Sequence, residues 1–148
     1  ITPEAHHQLA RSVVRTGDVL ISITGNVGRV VRYPNTMPQG NINQHIARVR
    51  IERDDVLPDF VVYQLLTQVI QEHYANIHVG AAYPLLSLKQ IRETLVQLPS
   101  LAEQRTIVEQ LDQMKTNTLQ LETTYQQKLS ELAGLKKAVL GAAFRGEL

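Results

Sequence analysis

The last third of the chain constrains it most. From Leu101 to Ala143 there is no Pro, and the only Gly residues are Gly134 and Gly141. Ile107, Leu111, Met114, Thr118, Leu121, Tyr125, Lys128, Leu132, Leu135 and Val139 follow one another at alternating steps of four and three. Eight of these ten are apolar, which makes a heptad seam. A helix of about 40 residues extends roughly 60 Å. A preceding core of about 100 residues cannot cover such a stripe. The eight apolar positions are therefore expected to meet a partner helix, and two copies of the chain would supply it as a homodimer. Thr118 and Lys128 interrupt the seam. They either set register and orientation or are simply tolerated in a long coil.

The region before the seam reads differently, and the boundary falls at Pro99. Residues 1–99 are expected to form a small mixed domain and residues 100–148 the helix, giving an α+β chain. Val19, Ile21 and Ile23 alternate with Leu20, Ser22 and Thr24, as in a strand with one buried face. Gly25-Asn26-Val27-Gly28 predicts a tight turn, and Arg29 to Tyr33 the returning strand. Pro34 to Asn43 holds two Pro, one Gly and three Asn and is expected to be a loop. Ile46 to Ile51 alternates again. From Pro58 the period is helical through Val62, Leu65, Leu66, Val69, Ile70 and Ile77, with Pro58 suited to a first turn. His78 to Leu86 reads as a second loop. Ser87 with Gln90 predicts a capping box, and Thr94 to Leu98 a last strand.

Catalytic patterns are missing: the sequence contains no Walker loop, GxGxxG, HExxH or GxSxG. With no Cys, disulfides and thiolate metal sites are excluded, and a bacterial-type cytoplasmic setting fits. The five His residues lack ligand spacing with carboxylates, so no metal and no cofactor is expected. No apolar run is long enough to span a membrane. Residues 1–53 carry seven Arg against three acids in a chain of net charge +1. That bias serves either phosphate contact or a solvated sheet face. The polar stretch Asn41, Asn43, Gln44 and His45 offers groups able to read base edges, or to satisfy the backbone of a turn. Arg48 and Lys89 are candidate phosphate contacts, Lys89 beside a helix N-terminus.

Several stretches, taken in order, resemble the specificity subunits of Type I restriction–modification enzymes. They are Gly17-Asp18-Val19-Leu20-Ile21, Gly25-Asn26-Val27-Gly28, Asn43-Gln44-His45-Ile46-Ala47 and Leu86-Ser87-Leu88. Leu98-Pro99-Ser100-Leu101-Ala102-Glu103-Gln104-Arg105-Thr106-Ile107-Val108 is similar to the start of the family's spacer helix, and Lys136-Lys137-Ala138-Val139-Leu140 through Ala143-Phe144-Arg145-Gly146-Glu147-Leu148 to its terminal motif. The resemblance implies a target-recognition domain followed by a spacer helix that packs as an antiparallel coiled coil. It implies a non-catalytic subunit that binds double-stranded DNA, recruits methyltransferase subunits and joins the restriction subunit. This chain has one domain and one helix where the family has two of each, and begins at Ile1, so a fragment equivalent to half a subunit is expected. The domain is also expected to lack residues before the Gly17-Asp18 strand. The alternative is an oligomerisation module that dimerises through its coil and does not bind DNA by itself.

Overall fold

The computed structural model describes residues 9–76 and 85–147. The chain falls into two compact units, residues 1–108 and 109–148. The first is built on an antiparallel sheet whose central strand is the alternating run found in the sequence. In chain order the strands are β1 (Val13–Val14), β2 (Val19–Ser22), β3 (Val30–Arg32), β4 (Gly40–Asn41) and β5 (Ile46–Val49). Strand β2 lies between β3 and β5, pairing Leu20 with Val31 on one side and with Arg48 on the other. Val19 and Ile21 point into the core, where they meet Ala47, Val61, Leu65, Tyr74 and Leu86. The helices are α1 (Pro58–Leu65), α2 (Gln68–Asn76), α3 (Leu88–Glu93) and α4 (Leu101–Phe144). The α+β expectation and the long final helix both hold.

Four local expectations are corrected. The reversal between β2 and β3 is wider than a tight turn. Ser22 Oγ accepts the Arg29 amide at 3.0 Å, and the Gly28 amide donates to the Ser22 carbonyl at 2.9 Å. Gly28 sits at φ +84°, a conformation that disfavours any side chain, and a Cβ there would also have to displace Gln71 Oε1 at 2.9 Å. The Pro34–Asn43 loop contains β4, because Gly40 and Asn41 pair with Val14 and Val13.

The helical run from Pro58 is two helices. It breaks where Thr67 turns its hydroxyl onto the Gln64 carbonyl at 2.7 Å, and Gln71 Nε2 takes the freed Leu65 carbonyl at 2.7 Å. That competition for backbone groups is characteristic of Thr. Thr94–Leu98 is not a strand. The Thr94 hydroxyl is committed to the Gln90 carbonyl and to Tyr74 OH, and Leu95 is 91% exposed. Ile77 and the His78–Pro84 part of the second loop lie outside the described residues, as do His6 and His7.

An ion pair fastens the residue that leads into β2 to the segment after β5. Asp18 is 3% exposed, and Arg50 reaches it through Nε at 2.8 Å and a terminal nitrogen at 2.7 Å. The Arg15 amide adds a third hydrogen bond at 2.8 Å. Burial pushes the Asp18 carboxyl up, but Arg50, the Arg15 amide and the charge of Arg48 together hold it below its ordinary 3.8. A carboxyl depressed in the fold stabilises it above the unfolded value, and this contribution disappears as pH falls through the folded value. Asp18→Asn is therefore expected to melt lower than the parent at neutral pH, with the gap closing below pH 3.8. A pH series of melting temperatures checks this. A gap independent of pH would mean that the charge on Asp18 contributes nothing.

The first turns of α4, through Val108, belong to the same unit. Ser100 and Glu103 form a capping box: the Ser100 amide donates to Glu103 Oε2 at 2.9 Å and the Glu103 amide to Ser100 Oγ at 3.3 Å. The Ser100 hydroxyl and amide hold the Glu103 carboxyl below its usual range. One residue on, Gln104 is wholly buried. Its oxygen accepts the Leu57 amide at 2.9 Å, and its nitrogen donates to the Asp55 and Pro99 carbonyls, each at 2.9 Å.

The second unit is the rest of α4. Its apolar seam is open in the single chain, with Leu121 57% and Leu132 61% exposed. Met114, Tyr125, Leu135 and Val139 are likewise exposed, and Leu111 is partly covered. Among the described residues no helix is long and apolar enough to cross a membrane.

Candidate nucleic-acid interface

Three of the five residues expected to meet DNA stand together. Asn43, Gln44 and His45 form the exposed turn that feeds β5. The turn is fixed from within, because Asn43 Oδ1 accepts the His45 amide at 3.0 Å. It is also fixed from beside. His45 Nδ1 lies 2.7 Å from Thr24 Oγ1, and the His45 carbonyl accepts the Ile23 amide at 2.9 Å. Gln44 Nε2 lies 3.3 Å from His45 Nε2. Thr24 in turn bridges to Leu85, and the Leu86 amide donates to the Ile23 carbonyl. The Gly25–Gly28 reversal, the Asn43–His45 turn and the Leu85–Leu86 segment thus converge at one end of the sheet.

At this end the two readings of the polar stretch divide by residue. Asn43 spends its side-chain oxygen on its own turn, as an Asx turn does. Gln44 Oε1 makes no hydrogen bond among the described residues. Asn41 belongs to neither, because its side chain donates to Ser12 Oγ at 2.8 Å beside β1.

Arg48 and Lys89 lie elsewhere. Arg48 is partly buried and donates through a terminal nitrogen to the Val13 carbonyl, so it ties β5 to β1. Together with Arg92 it flanks a groove of about 370 Å³ between β5, α1 and α3, lined by Val49, Leu65, Leu88 and Ile91. Lys89 is in the first turn of α3, which Ser87 and Gln90 cap as expected. Its ammonium is exposed and lies 3.8 Å from Glu93. Thr24 completes the first cluster and Arg29 follows the glycine reversal; neither was singled out from sequence as a site residue. Thr24 carries no sequence signal beyond its place in an alternating run. Arg29 is exposed beside the glycine reversal, and only the Arg bias of residues 1–53 points to it. Among the described residues no three His, Asp or Glu side chains gather into a metal-holding group.

Comparison with known proteins agrees with this architecture. Residues 11–131 match the model of the Type I restriction modification DNA specificity domain. The specificity subunit of the Type I restriction enzyme EcoBI from Escherichia coli is 32% identical over 150 aligned positions, covering 100% of this chain and 31% of that protein. Among solved structures, a chain from a study of assembly and conformational transition of the type I R-M system superposes with a TM-score of 0.75 at 30% identity. It covers 93% of this chain and 33% of its own length. The HsdS subunit of Thermoanaerobacter tengcongensis gives 0.61 at 32% identity, covering 92% and 31%. The chain thus spans about a third of the length of these relatives. With the family model matched across both the sheet and most of the long helix, the chain belongs to the Type I restriction–modification DNA specificity family.

Proposed function

We propose that this chain reads one half of a bipartite double-stranded DNA target and recruits methyltransferase subunits, and through them the restriction subunit, without chemistry of its own. The observation that carries the reading is the Asn43–His45 turn. Its polar groups are exposed, yet its backbone is held by the Asn43 side chain and the Ile23 amide, and Thr24 steadies the His45 ring. A preorganised polar turn loses little entropy on binding, and amide and imidazole groups are the types that read base edges. Lys89 is the proposed phosphate contact, with Arg48 using whatever part of its guanidinium Val13 leaves open. Two copies would pair through the α4 seam and present two reading turns at a fixed separation, which selects the spacing of half-sites.

The test starts from duplexes enriched by the full chain out of a randomised DNA pool. Binding of the enriched duplex is expected to weaken steeply with rising salt, as phosphate contact requires. Replacing both Gln44 and His45 with Ala is expected to reduce that binding by about tenfold or more, while light-scattering mass stays unchanged. Unchanged affinity in the double variant would remove this turn from the interface. If the parent chain enriches no duplex and shows no salt-dependent binding, the coil-only module takes the place of this reading.

A further inference from the structure

We propose that Thr118 and Lys128 fix the pairing of α4 with a second copy of the chain, antiparallel and in a single register in which each Thr118 faces Lys128 of the other copy. The inference rests on the dimer reading above and on the antiparallel packing expected of the family's spacer helix, and adds the alignment and the two residues that set it.

The argument begins with the two polar seam positions. A parallel pair sets each seam residue against itself, so two Lys128 ammonium groups would share one apolar layer, and like charges in such a layer repel. An antiparallel pair sets each a position against a d position. One alignment then matches all ten seam positions: Met114 faces Leu132, Thr118 faces Lys128, Leu121 faces Tyr125, and the outer layers are apolar throughout. A slide of one heptad either way puts Lys128 against Leu111 or against Tyr125 and strands Thr118 against an apolar residue. Burying a polar group without a partner is costly. Only the matched alignment places the two polar residues in the same layer, and by symmetry it does so twice, on both sides of the Leu121–Tyr125 centre.

The chemistry of the pair is complementary. Thr118 gives its hydroxyl proton to the Met114 carbonyl of its own helix at 2.9 Å. What it offers outward is lone pairs. Lys128 has three donors and no acceptor, and its long stem can cover the seam while the ammonium stays near water. A Thr facing a Lys is thus satisfied where Thr–Thr or Lys–Lys is not.

The parent chain has no Cys, so single introduced thiols report the alignment directly. Met114→Cys and Leu132→Cys are made as separate full-length chains, and disulfide formation is read on non-reducing gels, with light-scattering mass read in parallel. Along one helix the two positions lie about 27 Å apart, far beyond disulfide reach. The expected result is a cross-link only when the two chains are mixed. Cross-linking of either chain alone would show a parallel pair and overturn the proposal. So would a dimer by mass with no cross-link in the mixture. A monomer by mass would overturn the dimer reading itself and this proposal with it.

A charge swap tests the cause independently. Thr118→Lys is expected to weaken the dimer by at least about tenfold, because it sets like charges face to face. Adding Lys128→Thr to the same chain should restore it, since each Lys again meets a Thr. Failure of the swap to restore pairing, with T118K weakened, would mean that this layer does not set the register.

Discussion

A chain carrying Asp at both Leu121 and Leu132 is expected to run as a monomer with its globular unit still folded. Both leucines are more than half exposed in the single chain, so monomeric α4 loses little by the change. In a pair of chains four leucine side chains leave the seam. Burial contributes roughly 1.5–3 kcal/mol for each such side chain, so about 6–12 kcal/mol of association is removed. A nanomolar dimer has only about 12 kcal/mol in total. The four carboxylates add a desolvation cost that Lys128, in the layer between the two positions, offsets only in part. The loss exceeds what higher concentration can restore. Light-scattering mass falling to that of one chain, with an unchanged melt for residues 1–108, is the expected outcome. A stable dimer in this variant would place association on another surface.

The elements easiest to read in the sequence were those with a strong period. Val19 and Ile21 alternate with more exposed neighbours and are wholly buried. The heptad stretch is one uninterrupted helix, Leu101–Phe144. The Ser87–Gln90 box was legible because its spacing is its mechanism. What escaped was decided at longer range. Gly40 and Asn41 look like loop residues by type and become a strand because Val13 and Val14 present a free edge.

Thr94 to Leu98 has strand-forming residues but no strand beside it among the described residues. Propensity without a neighbouring ladder gives no sheet. Arg48 was singled out for its charge. Its bond to the Val13 carbonyl depends on the β1 position, which nothing near residue 48 announces. Thr24 escaped for the same reason, since its link to His45 joins residues twenty-one apart. The Ser100–Glu103 box is different. It has the same spacing as the Ser87–Gln90 box and is legible in the sequence by the same rule.

The residue whose loss should most damage the globular unit is Gln104, and its two simplest substitutions are expected to rank against packing intuition. Gln104→Ala leaves the Leu57 amide and the Asp55 and Pro99 carbonyls without their partner. A buried unsatisfied group costs about 1–3 kcal/mol. The truncation also opens space of roughly one water, lined by three polar groups, which is the setting in which a buried water binds. Part of the loss is thereby recovered, and about 3 kcal/mol remains, or about 12 °C in Tm for a unit of this size. Gln104→Met keeps the length of the side chain and fills that space with methylene and sulfur. No water can then enter, and all three backbone groups stay unpaired. Met is therefore expected to melt below Ala, although it preserves volume. If Gln104 contributed packing alone, the order would reverse, since deleting buried atoms is what lowers stability in a core. Thermal melts of the two full-length variants decide between these accounts. Glu103→Ala serves as the reference, because it removes only the exposed half of the neighbouring cap and should cost about 1 kcal/mol. Its melt should stay well above both. The ranking matters because the same three hydrogen bonds join residues 55 and 57 to the first turn of α4, so stability and the seating of that turn depend on one side chain.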